Sequence, residues 1–207
     1  MGVRQSWSRF TAVLLSVILL SLLLAIPVRA AGQIDPARQG SLTVHFGQED
    51  TGFPDVTFRL YYVASISSDA ALTLAGDFSA YPVTFDGLST SEWRALAQTL
   101  AGYAARDDLP PLQTAQTNAD GDASFPLLPT GLYLVVGDTY SSGPDTYTPE
   151  AFLVSLPNAD ETTGDWVYDV TAHCKYDVRH DEPQTVSRQV IKLWDDADAA
   201  EHRPAGR

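Results

Sequence analysis

Cysteine and lysine are almost missing from this chain, and each scarcity excludes something. One cysteine, Cys174, occurs in 207 residues. No disulfide can therefore form within the chain, and no cysteine pair has metal-ligand spacing. Lysine occurs twice, as Lys175 and Lys192. The four histidines, His45, His173, His180 and His202, are scattered, and no Gly-Xaa-Ser-Xaa-Gly elbow is present. These gaps argue against an enzyme, and no motif for a cofactor is present.

What positive charge there is begins at the N-terminus. Arg4 and Arg9 precede an unbroken apolar run from Thr11 to Ile26, followed by Pro27, Val28, Arg29, Ala30 and Ala31. A basic start, an apolar core and small residues make an export signal. The run is shorter than the ~20 residues that span a bilayer comfortably. Residues 1–30 are therefore expected to be cleaved between Ala30 and Ala31, with a membrane encountered only during export. Of the 13 basic residues three lie in that signal, so the exported part sets 10 against 26 acids, a formal charge of −16. Such a surface repels nucleic acid and anionic lipid and keeps an extracellular protein soluble.

From Gly40 the sequence alternates with period two: Leu42, Val44 and Phe46 share one face, Thr43 and His45 the other. Val56, Phe58, Leu60 and Tyr62 repeat the pattern, as do Leu132, Leu134 and Val136, then Phe152, Val154 and Leu156, then Trp166, Tyr168 and Val170. Turn-rich stretches separate these runs, and the whole predicts an antiparallel β-sandwich. One segment departs from the period. Ser89 and Glu92 form a capping-box pattern, and Trp93, Leu96, Ala97, Leu100, Ala101 and Ala104 then recur at helical spacing. This predicts one amphipathic helix, about residues 90–105, inserted into the β domain.

Asn118, Asp120 and Asp122 resemble the start of a calcium loop, but Ala123 stands where such a loop needs glycine and Pro129 where it needs glutamate. A turn at Asp120-Gly121 is the expected structure. Beyond 178 the chain becomes polar, and from Val186 a new alternating strand begins. The stretch after the linker is too short to bury a core.

The segment from Trp166 to Lys175, Trp-Val-Tyr-Asp-Val-Thr-Ala-His-Cys-Lys, resembles the pilin motif of sortase-assembled Gram-positive major pilins of the Spa type, usually written WxxxVxVYPK. Trp166, Val170 and Lys175 match in register, whereas Ala172, His173 and Cys174 replace the motif's Val, Tyr and Pro. Tyr147 to Pro157 is similar to the strand before that motif, and Asn118 to Val136 to a hairpin of Cna B-type folds. The resemblance implies a mainly β, immunoglobulin-like or Cna B-type sandwich. It divides the chain into a leader at 31–39, a pilin N-terminal-like domain at 40–178, a linker at 179–185 and the start of a second, Cna B-type domain at 186–207.

The resemblance also implies a function: a structural pilus subunit on the cell wall, with Lys175 as the amine that a pilin-type sortase joins to a neighbouring pilin subunit. Lys192, in Val190-Ile-Lys-Leu-Trp194, would be the donor of an internal isopeptide bond in a longer parent protein. In the first domain Phe46 and Gly137 stand where the family has the lysine and the acid of such a bond, so no internal crosslink is expected there, and Phe46 should pack inward. Two alternatives remain open. One is a non-polymerising adhesin of the same fold that binds a host or matrix ligand; the other is a truncated gene fragment without a function of its own.

Overall fold

The computed structural model describes residues 32–160 and 162–181. The export signal with its cleavage site at Ala30 and Ala31, the linker from residue 182 and the strand carrying Lys192 lie outside the described residues. In chain order the elements are β1 (Gly40–His45), β2 (Gly47–Gln48), β3 (Thr51–Gly52), β4 (Thr57–Ile66) and β5 (Leu72–Leu74). A 3-10 turn (Gly76–Phe78) and helix α1 (Thr90–Arg106) follow. Then come β6 (Gln113–Gln116), β7 (Asp122–Leu128), β8 (Gly131–Gly137), β9 (Tyr140–Ser142), β10 (Asp145–Pro149) and β11 (Phe152–Leu156). The last are β12 (Asn158–Ala159), β13 (Trp166–Val167), β14 (Asp169–His173) and β15 (Tyr176–His180).

The mainly β sandwich with one inserted helix expected from the sequence is what forms. One sheet has the order β14-β1-β7, a second β11-β8-β4-β5 with β6 on the other part of β4, and a third β15-β10-β9. In β1 the period-two pattern works as expected: Leu42 and Val44 are fully buried, while Ser41, Thr43 and His45 are half-buried. Phe46, just past the strand, is buried as well and meets Phe53, Phe58 and Tyr176 edge to face at centroid distances of 4.9, 5.7 and 5.6 Å.

The second sheet departs from simple alternation. Tyr133 and Val135 of β8 face the core formed with β1 and β7, yet Leu132 and Leu134 are equally buried, in a second core with Tyr61, Val63, Ala97, Leu100 and Ala104. Helix α1 lies over the back of this sheet, so β4 and β8 are covered on both faces. The helix begins where its sequence signal places it: the Ser89 hydroxyl accepts from the Glu92 N–H, and the Glu92 carboxylate accepts from the Ser89 N–H. Two groups that are otherwise orphaned at a helix start are satisfied reciprocally.

Two boundaries differ from the sequence expectation. The segment before Gly40 packs onto the domain: Ile34 is buried, its N–H donates to the Ser68 carbonyl, and the Asp35 N–H donates to the Tyr168 hydroxyl. At the other end β15 continues to His180, inside the stretch read as a linker, because Arg179 and His180 pair with Thr146 and Asp145 of β10. The His180 ring lies 2.6 Å from an Asp145 carboxylate oxygen. The Asn118–Asp122 loop is a turn closed on itself, with the Asn118 side-chain oxygen accepting from the N–H groups of Asp120 and Asp122. Gly121 takes φ +81° there, and a Cβ at that position would come within 2.3 Å of the Phe46 carbonyl oxygen. Among the described residues no helix is long and apolar enough to cross a membrane.

Candidate functional site

β14 ends at His173 and β15 begins at Tyr176, in a different sheet. Cys174 and Lys175 are therefore a two-residue joint, and alternation carries through it: Val170 and Cys174 point inward and are buried, while His173 and Lys175 are exposed. Backbone bonds fix the joint on both sides. The Cys174 N–H donates to the His45 carbonyl and the Glu150 N–H to the Lys175 carbonyl, each at 2.8 Å. Lys175 thus combines a pinned main chain with a free side chain. Among the described residues no carboxylate forms an ion pair with its ammonium.

Lys175 borders a groove of about 580 Å³ between the edge of β14, the edge of β11 and the N-terminal half of α1. Its walls include Trp93, Arg94, Glu150, Phe152, Val154 and Trp166. Both β11 and β14 are terminal strands of their sheets, so among the described residues each has one edge without a ladder partner. The lining is largely apolar, with charged residues near Lys175: Arg94 Nε lies 3.8 Å from a Glu150 carboxylate oxygen.

The three residues matched to the pilin motif occupy three different environments. Trp166 lines the groove and donates its indole N–H to the Gly32 carbonyl, which ties it to the N-terminal segment. Val170 is buried opposite Leu42 in the parallel β1–β14 ladder. Lys175 is exposed. Cys174 is buried, and burial, reinforced by the nearby Glu150 charge, pushes its thiol up to about 12. It is a neutral core side chain at physiological pH. Sequence reasoning missed Glu150 and Trp93. The signal for Glu150 was an acid inside the otherwise uncharged run from Tyr147 to Pro157; Trp93 sat at the margin of the helix stripe and was read as core.

A family model described as Gram-positive pilin subunit D1, N-terminal domain, matches residues 29–175. Among solved structures, the full-length major pilin SpaD from Corynebacterium diphtheriae is 24% identical, with 69% of this chain and 31% of SpaD covered at a TM-score of 0.43. The fimbrial protein FimP from Actonomyces oris is 24% identical, with 70% and 31% covered at 0.42. The major pilin SpaA from Corynebacterium diphtheriae is 23% identical, with 67% and 30% covered at 0.39. This chain spans less than a third of the length of these three pilins. No curated protein sequence matches it. With the family match running over well more than half of its length, the chain belongs to the family of Gram-positive pilin subunit D1 N-terminal domains.

Proposed function

We propose that this protein is a subunit of a cell-surface pilus, in which Lys175 is the amine that a pilin-type sortase joins to a neighbouring subunit. The observation that carries this reading is the placement of Lys175: an exposed amine on a pinned joint, at the rim of a largely apolar groove flanked by two strand edges that have no ladder partner among the described residues. An extended peptide in that groove gains main-chain hydrogen bonds from a strand edge and apolar contact from the walls, a common mode of peptide recognition.

The groove holds the acyl-bearing peptide while the sortase presents it as a thioester. The Lys175 amine, once deprotonated, attacks the thioester carbonyl. A C–N bond forms, the C–S bond breaks, the thiolate leaves with the electron pair, and the proton released from the amine neutralises it. The products are an isopeptide bond and a free sortase thiol. The protein is thus substrate rather than catalyst.

The test is incubation with a pilin-type sortase and a sorting-signal peptide, followed by peptide mapping by mass spectrometry. An adduct on Lys175 that Lys175→Arg abolishes supports the reading. An adduct elsewhere, or none, overturns it. Arginine is the informative replacement, because it keeps the charge and reach but cannot lose its proton near neutral pH. In the same reading, residues 186–207 open a Cna B-type domain whose Lys192 forms an internal bond in a longer parent, and intact mass there should fall by ~17 Da per bond.

A further inference from the structure

We propose that His45 and His173 form a binding site for a divalent transition-metal ion of the zinc, nickel or copper class, with Asp122 orienting the first of them. The sheet β14-β1-β7 puts three residues on one rung. His45 lies opposite His173 in the parallel ladder and opposite Asp122 in the antiparallel one. All three alternate with buried neighbours, Val44, Cys174 and Ala123, and so share the outer face of the sheet.

The polar geometry gives the pair its chemistry. His45 Nδ1 is 2.8 Å from Asp122 Oδ1. An ionised carboxylate can only accept, so Nδ1 carries the proton, and in the neutral ring Nε2 is left with the lone pair. A carboxylate behind an imidazole is the arrangement that fixes the ring of a metal-binding histidine and raises its basicity. His173 is exposed, and its ring stands edge-on to that of His45, with a centroid separation of 5.2 Å.

That separation can be compared with what one shared ion needs. Imidazole nitrogens bind such an ion at about 2.05 Å, and the ring centre lies roughly 1.15 Å further out, so two rings at a tetrahedral angle have centres about 5.2 Å apart. The 5.2 Å separation of the ring centres is compatible with one shared ion, and rotation of the rings would bring a nitrogen of each onto it. Among the described residues no three ligating side chains converge, so water completes the coordination and the site is open. Imidazole is a preferred ligand for these metals.

An ion shared by His45 and His173 ties the edge strand β14 to β1 two residues before Lys175. In a chain with a single cysteine it is a staple of a kind that the composition otherwise withholds.

The test uses the untagged full chain and zinc chloride alone, with binding read by calorimetry and the melting temperature followed as zinc is raised. One ion per chain, a melting temperature that climbs with zinc, and at least tenfold weaker binding in both His45→Ala and His173→Ala are the expected results. Asp122→Asn leaves both imidazoles in place and should weaken binding about tenfold or more. Each variant is melted without zinc, which separates loss of the site from loss of the fold. Absence of zinc binding, or binding undiminished by His173→Ala, overturns the proposal. Neither outcome depends on whether Lys175 is an acyl acceptor, because no sortase is present.

Discussion

The backbone N–H of Glu150 donates to the carbonyl of Lys175 across 2.8 Å, so the residue just past β10 holds the joint from which the exposed lysine projects. The bond belongs to the main chain, and two substitutions at one position separate it from the side chain. Glu150→Pro removes the donor and leaves the carbonyl with the weak thiol of Cys174, 3.3 Å away; it should cost about 1–3 kcal/mol. Glu150→Ala keeps the donor and loses a 3.8 Å pairing with an Arg94 side chain that is mostly solvated, at a cost under about 1 kcal/mol. Urea unfolding of the two variants measures the difference, and equal midpoints would assign the role to the carboxylate instead.

Phe46 and Gly137 are both committed to packing against Phe58. Phe58 lies opposite Gly137 in the β4–β8 ladder, and a Cβ on Gly137 would come within 2.5 Å of its ring. Phe58 is fully buried against Phe46 and cannot swing out. Gly137→Ala should therefore destabilise by about 1–3 kcal/mol through overpacking, and Phe46→Ala by about 3–5 kcal/mol through the cavity it leaves. Denaturant midpoints with unchanged slopes would bear this out; a neutral Gly137→Ala would mean that the ring has room to move.

How far the sequence revealed the fold depended on how many faces each segment buries. β1 has one buried face, and Leu42, Val44 and Phe46 announced it. β4 and β8 have two: the period-two runs picked out Phe58 and Leu60 in β4 and Leu132 and Leu134 in β8, which fill different cores, and passed over Tyr61, Val63, Tyr133 and Val135 on the opposite faces. Ser89 and Glu92 marked the helix start because a capping box is local chemistry. The site followed the same rule. Lys175 stood out by scarcity, whereas Glu150 and Trp93 reach the groove through pairings of residues far apart in sequence, and no local pattern encodes those. The His45–His173 register is of that kind too: 128 positions separate residues that a parallel ladder sets side by side.

The capping box itself is testable. Ser89→Ala leaves the Glu92 N–H without its side-chain acceptor and removes the hydroxyl from the Glu92 carboxylate, 2.6 Å away. The expected loss is about 1 kcal/mol, and since Leu100 and Ala97 dock α1 onto β8 and β11, the loss should register in global unfolding. Amide exchange should quicken most in the first turn of α1. A variant with unchanged stability and exchange would show that tertiary packing alone fixes this end of the helix.

Cys174 gives the protein an alkaline limit whose sign follows from its surroundings. Burial first, and the Glu150 charge second, raise the folded thiol from the ordinary 9.0 to about 12. Between those values the unfolded chain has released the thiol proton and the folded chain keeps it. The unfolded state then binds fewer protons, so stability falls as pH rises through that window, by at most about 1.4 kcal/mol per pH unit from this group. Well below pH 9 the group contributes no slope. Tyr133, also raised by burial, adds its own decline at higher pH, so wild type alone cannot isolate the thiol. Cys174→Ala can: its stability should run parallel to wild type from pH 7 to 8.5 and decline less steeply from pH 9 to 10.5, leaving Tyr133 in common. Urea midpoints across that range make the comparison. Parallel curves throughout would mean that the thiol ionises in the folded protein as readily as in the unfolded one, and that the joint beneath Lys175 is open to solvent.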